Sequence, residues 1–124
     1  MSERNKAIAR EVFEVWGSGD LDRLDELVAA NVVHHDPYDP HGAEGLAGMK
    51  ATIAANRERF AELRLTVDDQ VAEGDRVATR WTCTMSHEGR SISIAGITID
   101  RFEGGKIVEA WRSMDALGLA NQLG

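Results

Sequence analysis

Cysteine and proline are scarce in this chain of 124 residues, which contains one cysteine and two prolines. A single cysteine, Cys83, excludes a disulfide within the chain and cannot by itself supply a zinc–thiolate cluster. Aromatic residues are also few, at 6% of the sequence, and three of them are tryptophans. The sequence therefore does not indicate a small disulfide-stapled protein, and we expect a reducing, cytoplasmic environment.

Basic residues are outnumbered, because 14 lysines and arginines stand against 21 aspartates and glutamates and leave a net charge of −7. Nucleic acids and anionic membrane surfaces select clustered Lys and Arg, so the charge balance disfavours both as partners. The polar N-terminus MSERNKAIAR lacks the apolar core of a secretory signal, and no apolar run approaches the length of a membrane span. Hydrophobic residues still make up 43% of the chain, enough for the core of one domain over residues 1–124.

The spacing of apolar residues divides the chain into helices followed by strands. Helical spacing predicts one helix over Glu3–Trp16, a second from Asp20 to about Asn31, and a third over Leu46–Leu63. Alternating patterns separated by the turn signals EGD, HEG and EGG then predict four antiparallel strands, and a short helix or tail follows. This order indicates the α+β class, with three N-terminal helices on one face of a curved antiparallel β-sheet. A sheet curled around a long helix encloses a cone-shaped pocket, where we expect a small ligand.

Most of the chemically versatile side chains lie in the segment VVHHDPYDPHGAEG, residues 32–45, which holds three of the four histidines and both prolines. These are metal-ligand types, but His34 and His35 are adjacent and face opposite sides of a strand. The prolines restrict the chain further, so we do not expect the three or four converging ligands that a metal site needs. We interpret the segment as the rim of the pocket, with one histidine facing inward.

Three motifs of the chain resemble a known family. GDLDRLDELVAANVVHHDP, GAEGLAGMK and DRFEGGKIVEAWRSMD are similar to the SnoaL-like polyketide cyclases (ester cyclases), a branch of the nuclear-transport-factor-2-like (NTF2-like) superfamily. The resemblance covers almost the whole chain. It implies a cone-shaped NTF2-like fold and an enzyme that uses neither a metal nor an organic cofactor. Enzymes of the family close rings by intramolecular aldol chemistry on a polyketide methyl ester, and for this chain we expect a small, mostly apolar carbonyl compound.

The resemblance assigns catalytic roles to Asp115 and His35. Asp115 in WRSMD matches the acid/base aspartate of the family, and His35 matches its pocket histidine, which would orient or polarise a carbonyl. Trp111, Ser113 and Asp115 share one face of the last strand, and a carboxyl beside an indole in the pocket would be partly desolvated. The alternatives are that Asp115 caps the terminal helix and that His35 is a rim histidine without a catalytic role.

Asp36 and Arg80 point to two other branches of the superfamily. Asp36 precedes Pro37, and ketosteroid isomerases carry their base in a similar acidic residue–proline setting, but the oxyanion pair of those enzymes has no match here. Limonene-epoxide hydrolases use an Asp-Arg-Asp set, of which only Arg80 finds a match. Both activities are therefore disfavoured. Arg80 would anchor a carboxylate, pair with Asp115, or lie exposed.

The remaining expectations concern ligand and assembly. A small apolar or aromatic ligand is expected in the pocket, and a cone that binds it without chemistry is the alternative to an enzyme. A homodimer through the exposed face of the sheet is common among proteins with this pattern, and β-branched residues on that face favour it. The candidate substrate-binding residues are Arg80, Trp111, Asp36, Tyr38 and Trp16.

Overall fold

The computed structural model describes residues 2–36 and 45–124, in which a first strand lies between the second and third α-helices and four strands follow the third. A one-turn 3-10 helix at Leu21–Arg23 precedes the second α-helix. The elements are α1 Ser2–Ser18, α2 Leu24–Leu27, β1 Val28–His35, α3 Gly45–Arg59, β2 Ala61–Glu73, β3 Arg76–His87, β4 Arg90–Glu103, β5 Lys106–Met114 and α4 Ala116–Leu123.

Strands β2 to β5 form an antiparallel meander, and β1 joins it along β5 to give the order β1-β5-β4-β3-β2. The predicted α+β class and the four predicted strands are confirmed. One correction is that β1 pairs parallel to β5 and begins at Val28, where a helix was expected to continue to about Asn31. Val28 is fully buried against its register partner Ile107, so pairing with β5 prevails over helical periodicity there.

Two short connections hold the hairpins in register. The turn between β3 and β4 places Glu88 and Gly89 at φ of 52° and 79°, and the turn between β4 and β5 places Gly104 and Gly105 at 58° and 80°. Two successive residues with positive φ form the primed turns that match the right-handed twist of a hairpin. The turn signals HEG and EGG therefore fix where each strand ends.

The sheet has one buried and one exposed face. Along β4, the inward residues include Ile92, Ile94 and Phe102, whereas Ile97 and Ile99 point outward. Helix α1 packs its apolar stripe, which includes Val12 and Phe13, against the inner face. The expected arrangement of helices on one face of the sheet is confirmed, with α4 as an additional fourth helix. The space between the helices and the inner face is the cavity described below.

Candidate functional site

The cavity has two adjoining lobes that share Trp16, Trp81 and Arg112 in their walls. The smaller lobe has a volume of about 60 Å³ and contains most of the ionisable groups, so we call it the polar lobe. The larger lobe, of about 310 Å³, is mainly hydrophobic, and we call it the apolar lobe. Further residues of the polar lobe are Val12, Phe13, His34, His35, Asp36, Met49, Thr98, Asp100 and Ala110, and those of the apolar lobe include Phe60, Leu63, Cys83, Met85, Ile94, Met114 and Leu119.

Strand register brings the polar groups together on the inner face. Asp100 of β4 and His34 of β1 both pair with Ala110 of β5, one from each side. The next inward pair is Thr98 with Arg112. Because Ala110 has only a methyl group, the polar side chains around it border an open space rather than a packed core.

Asp100 is one of the residues of this site that sequence reasoning missed. The residue is 5% exposed, and burial raises the pKa of Asp100 to about 7. The signal was present in SISIAGITID, where alternate positions from Ile92 to Asp100 belong to one face. An aspartate that falls on the apolar side of such a pattern is costly to bury and marks a candidate functional group.

Asp36 and Arg112 form an ion pair within the polar lobe. The Asp36 side chain is 4% exposed, and the Arg112 guanidinium also lies over the Trp16 ring, 5.8 Å from its centroid. A buried carboxylate without such a cation would be strongly disfavoured. The structure therefore places two of the candidate residues, Asp36 and Trp16, on the cavity wall and connects them through Arg112, which sequence reasoning also missed.

Trp81 and Thr98 are joined on the wall between the lobes. The indole Nε1 of Trp81 donates a hydrogen bond to Thr98 Oγ1 at 3.0 Å, and both residues are buried. Gly96, the register partner of Trp81, makes room for the ring, since a Cβ at Gly96 would lie 2.2 Å from Trp81 Cζ2. The position of the Trp81 ring therefore depends on this glycine.

Asp115 lies outside the cavity. It is exposed, and its Oδ1 accepts a hydrogen bond from the Gly118 backbone N–H at 2.8 Å, which caps α4. The inward residues of β5 are Ala110, Arg112 and Met114, so the face that leads to Asp115 is the outer one. The expectation that this carboxyl faces the pocket is wrong, and the capping alternative is the one observed.

His35 and Trp111 meet on the outer face of the sheet. Their rings stack with centroids 5.2 Å apart, and His35 Nε2 lies 2.7 Å from Glu109 Oε2. The hydrogen bonds with His35 and Arg101 lower the pKa of Glu109. His35 borders the polar lobe, but its ring is engaged in these outer contacts, and His34 is the histidine on the inner register. The expectations that His35 turns inward and that Trp111 flanks a pocket carboxyl are corrected.

Arg80 also points away from the cavity. It is 55% exposed and contacts Asp69 at 3.1 Å and Asp68 at 3.7 Å on the outer face. It is paired with neither a pocket group nor Asp115, so the exposed alternative describes it. Tyr38, the remaining candidate, falls outside the described residues.

Three further observations concern the described part of the chain. Within residues 2–36 and 45–124, no three His, Cys, Asp or Glu side chains converge as a metal site requires. Cys83 faces the apolar lobe, and burial raises the pKa of its thiol to about 11, so it is a poor nucleophile at neutral pH. No described helix is long and apolar enough to cross a membrane.

Comparison with known proteins identifies the family of this chain. Residues 6–123 match the family model of SnoaL-like polyketide cyclases. The chain therefore belongs to that family, and its architecture is the NTF2-like fold of SnoaL-like proteins, as the sequence motifs indicated. A comparison with curated protein sequences finds no match.

Solved structures of Streptomyces proteins are similar over nearly the full length. TsrD from Streptomyces laurentii has 28% identity and a TM-score of 0.88, with 100% of this chain and 97% of that chain covered. IdmH, a proposed polyketide cyclase from Streptomyces antibioticus, has 28% identity and a TM-score of 0.85 over 97% and 98% of the two chains. AclR, a proposed hydroxylase from Streptomyces galilaeus, has 28% identity and a TM-score of 0.85 over 100% and 87%. One fold thus serves proteins proposed to perform different chemistry.

Proposed function

We propose that this chain is a cofactor-independent enzyme that acts on a small, mostly apolar carbonyl compound by aspartate acid/base catalysis, with Asp100 as the catalytic carboxyl. The observation that supports this proposal most directly is the burial of Asp100 in the wall of the polar lobe. A carboxyl whose pKa lies near 7 is present in both protonation states at neutral pH. Such a group can both take and return a proton during one turnover.

The proposed reaction begins with a C–H bond next to the substrate carbonyl. The Asp100 carboxylate takes this proton, and the electron pair of the C–H bond moves onto the carbonyl oxygen to give an enolate. In a cyclisation, the enolate carbon forms a bond to a second carbonyl carbon of the same molecule, and Asp100 returns the proton to that carbonyl's oxygen. No electron is gained or lost overall, so the chemistry needs no redox partner.

The rest of the cavity suits a ligand with one polar end. The apolar lobe, at about 310 Å³, is within the size range of ordinary small-molecule pockets and is lined by side chains such as Phe60, Met85 and Ile94. The polar lobe holds Asp100 beside the Asp36–Arg112 pair. The carbonyl would therefore lie in the polar lobe and the hydrocarbon part in the apolar lobe.

Asp100→Asn tests the catalytic assignment against Asp115→Asn as a matched control. The probe is 2-acetylnaphthalene in D₂O, and the readout is exchange of its methyl protons for deuterium, followed by NMR. Removal of a general base typically costs on the order of 10²- to 10⁴-fold, so we expect Asp100→Asn to lose exchange by at least about 100-fold. Asp115→Asn should retain it, because Asn caps a helix about as well as Asp.

The opposite pattern, with Asp115→Asn inactive and Asp100→Asn active, would overturn the assignment in favour of Asp115. The alternative function is a binding protein with the same pocket. It would be favoured if 2-acetylnaphthalene raised the melting temperature of the wild-type chain while its methyl protons exchanged no faster than in buffer.

We also propose that the chain forms a homodimer through the outer face of its sheet. Val33 and Ile97 are 47% and 48% exposed there, and Ile99 is exposed as well. These apolar side chains lie on neighbouring strands in the order β1, β5, β4, with Trp111 between them. Apolar residues grouped on an exposed sheet face are typical of a surface that a second copy covers.

A further inference from the structure

We infer that Thr98 and Arg112 donate hydrogen bonds to one oxygen atom of the bound compound, the oxygen that becomes negatively charged, and that Trp81 is a positioning residue for the Thr98 hydroxyl. We call Thr98 and Arg112 the oxygen-binding pair. Its role in catalysis rests on the proposed function. Its preference for an oxyanion can be measured without turnover.

The hydrogen bond between Trp81 and Thr98 sets the direction of the Thr98 hydroxyl. An indole N–H can only donate, so Thr98 Oγ1 must be the acceptor in this contact. One lone pair of the oxygen is thereby occupied, and the hydroxyl proton remains available to donate. Thr98 lines the polar lobe, and none of the described residues is found to accept that proton. The Thr98 hydroxyl is therefore available to donate a hydrogen bond into the cavity.

Arg112 supplies the second donor. A guanidinium carries five N–H groups, and the ionic partner of Arg112 among the described residues is Asp36, which faces Nη2. Its Nε is a buried donor that none of the described residues accepts from. The side chain lines both lobes, so donors remain beyond those that Asp36 occupies. Nε itself is inaccessible, so a ligand oxygen in the cavity would accept from a terminal N–H of the guanidinium that Asp36 does not occupy.

Strand register brings these two donors to the same place. Thr98 and Arg112 are direct register partners on β4 and β5, so their Cβ atoms are about 5 Å apart and their side chains rise from the same face. Asp100 is the next inward residue of β4. A carbonyl oxygen between the two donors would thus leave the neighbouring carbon atom beside the carboxyl of Asp100, as proton abstraction requires.

Ionisation of bound 2-naphthol provides the test. This flat apolar phenol resembles an enolate when it loses its proton, and its neutral and ionised forms have different absorption spectra. We expect the wild-type chain to bind the naphtholate form more tightly than the neutral form. Thr98→Val removes a hydrogen bond to a charged atom and should weaken naphtholate binding about tenfold or more, with little effect on neutral naphthol. Thr98→Ser should restore the preference.

Three further variants separate positioning from folding. Trp81→Phe keeps the Thr98 hydroxyl but frees its lone pair, so the naphtholate preference should fall while the neutral form still binds. The double variant Trp81→Phe/Thr98→Val leaves no orphaned indole N–H, and therefore tests the loss of the hydroxyl even if Thr98→Val alone does not fold. Thr84→Val, on the exposed outer face of β3, is the matched control and should behave like the wild type.

Two outcomes would overturn the inference. One is a wild-type chain that binds no 2-naphthol at millimolar concentration or shows no preference for the ionised form. The other is a Thr98→Val variant that retains the wild-type preference. Either result leaves the proposed function open to its own test, because loss of proton exchange in Asp100→Asn does not depend on naphtholate binding. Conversely, naphtholate preference without any proton exchange would support the oxygen-binding pair in a protein that is not an enzyme.

Discussion

Asp100 shows how a single residue can be decisive in a site that is otherwise hydrophobic. Its neighbours along the inner face of β4 are Thr98 and Phe102, which are both buried, so its carboxyl has lost most of its contact with water. Loss of hydration disfavours the charged form, which is why the pKa rises to about 7. The same loss of hydration destabilises the folded chain wherever Asp100 is ionised.

The stability of the fold should therefore depend on pH through Asp100. Below about pH 4 this residue is protonated in both the folded and the unfolded chain. Between about pH 4 and 7 the unfolded chain releases the proton and the folded chain retains it, so the free energy of unfolding falls as pH rises. The loss is on the order of 4 kcal/mol and is complete above about pH 7.

Urea unfolding at pH 5 and pH 8 measures this effect. Asn cannot ionise, so Asp100→Asn should lack the decrease and should be more stable than the wild type at pH 8. The difference in the free energy of unfolding between the two proteins isolates the contribution of Asp100. Other groups are present in both proteins, including Glu109, whose lowered pKa makes the fold less stable as the pH falls. If the free energy of unfolding changed equally between pH 5 and pH 8 in the wild type and in Asp100→Asn, the assigned burial of the Asp100 carboxyl would be contradicted.

At the scale of elements, strands β3, β4 and β5 position the site through their register. Gly96 of β4 allows the ring of Trp81 on β3 to lie against the sheet, where it reaches Thr98. Thr98 in turn faces Arg112 on β5. A change at Gly96 should therefore propagate across all three strands.

Gly96→Ala should displace Trp81 and break its hydrogen bond to Thr98. The added methyl group would lie far inside van der Waals contact with the indole, and overpacking of this kind typically costs about 1–3 kcal/mol. We expect a lower melting temperature, together with a changed Trp fluorescence spectrum and a reduced naphtholate preference. Gly89→Ala, in the open turn after β3, has no such neighbour and should leave the fluorescence spectrum and the naphtholate preference unchanged. A Gly96→Ala protein with wild-type fluorescence and naphtholate preference would contradict this account.

The predictable part of the structure was the part governed by local patterns. The alternation in β3 correctly placed Trp81, Cys83 and Met85 opposite Arg80, and the turn signals correctly separated the strands. The motifs correctly indicated the family. These features depend on residues that are close in sequence, which is why one chain is enough to read them.

The site was harder to predict because it depends on which face of each strand turns inward. The last strand was expected to direct Trp111 and Asp115 into the cavity, and the alternate set with Arg112 faces it instead. A shift of one residue moves every side chain to the other face. The same kind of shift made His35, instead of His34, the predicted inward histidine. The parallel pairing of β1 with β5, which sets this register, is not visible in the sequence.

At the scale of the whole molecule, the sheet separates two functions that we propose for its two faces. The inner face carries the cavity, and the outer face carries exposed apolar residues together with ion pairs such as Arg80 with Asp69. The His35–Trp111 stack lies on the outer face, and His35 borders the polar lobe as well. Assembly through the outer face would therefore cover residues that lie directly behind the site.

Ile97→Lys should abolish the homodimer. A lysine in the centre of the apolar outer face would have to lose its hydration on association, a cost that a surface of this kind does not compensate. Leu117→Lys is the matched control, since Leu117 is 72% exposed on α4, away from the sheet. Analytical ultracentrifugation at micromolar concentration should find dimers of the wild type and of Leu117→Lys, and monomers of Ile97→Lys. A monomeric wild type would contradict the proposed assembly.

The pKa of Asp100 is the most direct measurement of the central claim. It can be followed by NMR of the side-chain carboxyl carbons between pH 3 and 9, with the resonance assigned by its absence in Asp100→Asn. We predict a midpoint of about 7 for Asp100. A midpoint near 4, the ordinary value for an aspartate, would mean a hydrated carboxylate and would contradict the role of Asp100 as the acid/base of this cavity.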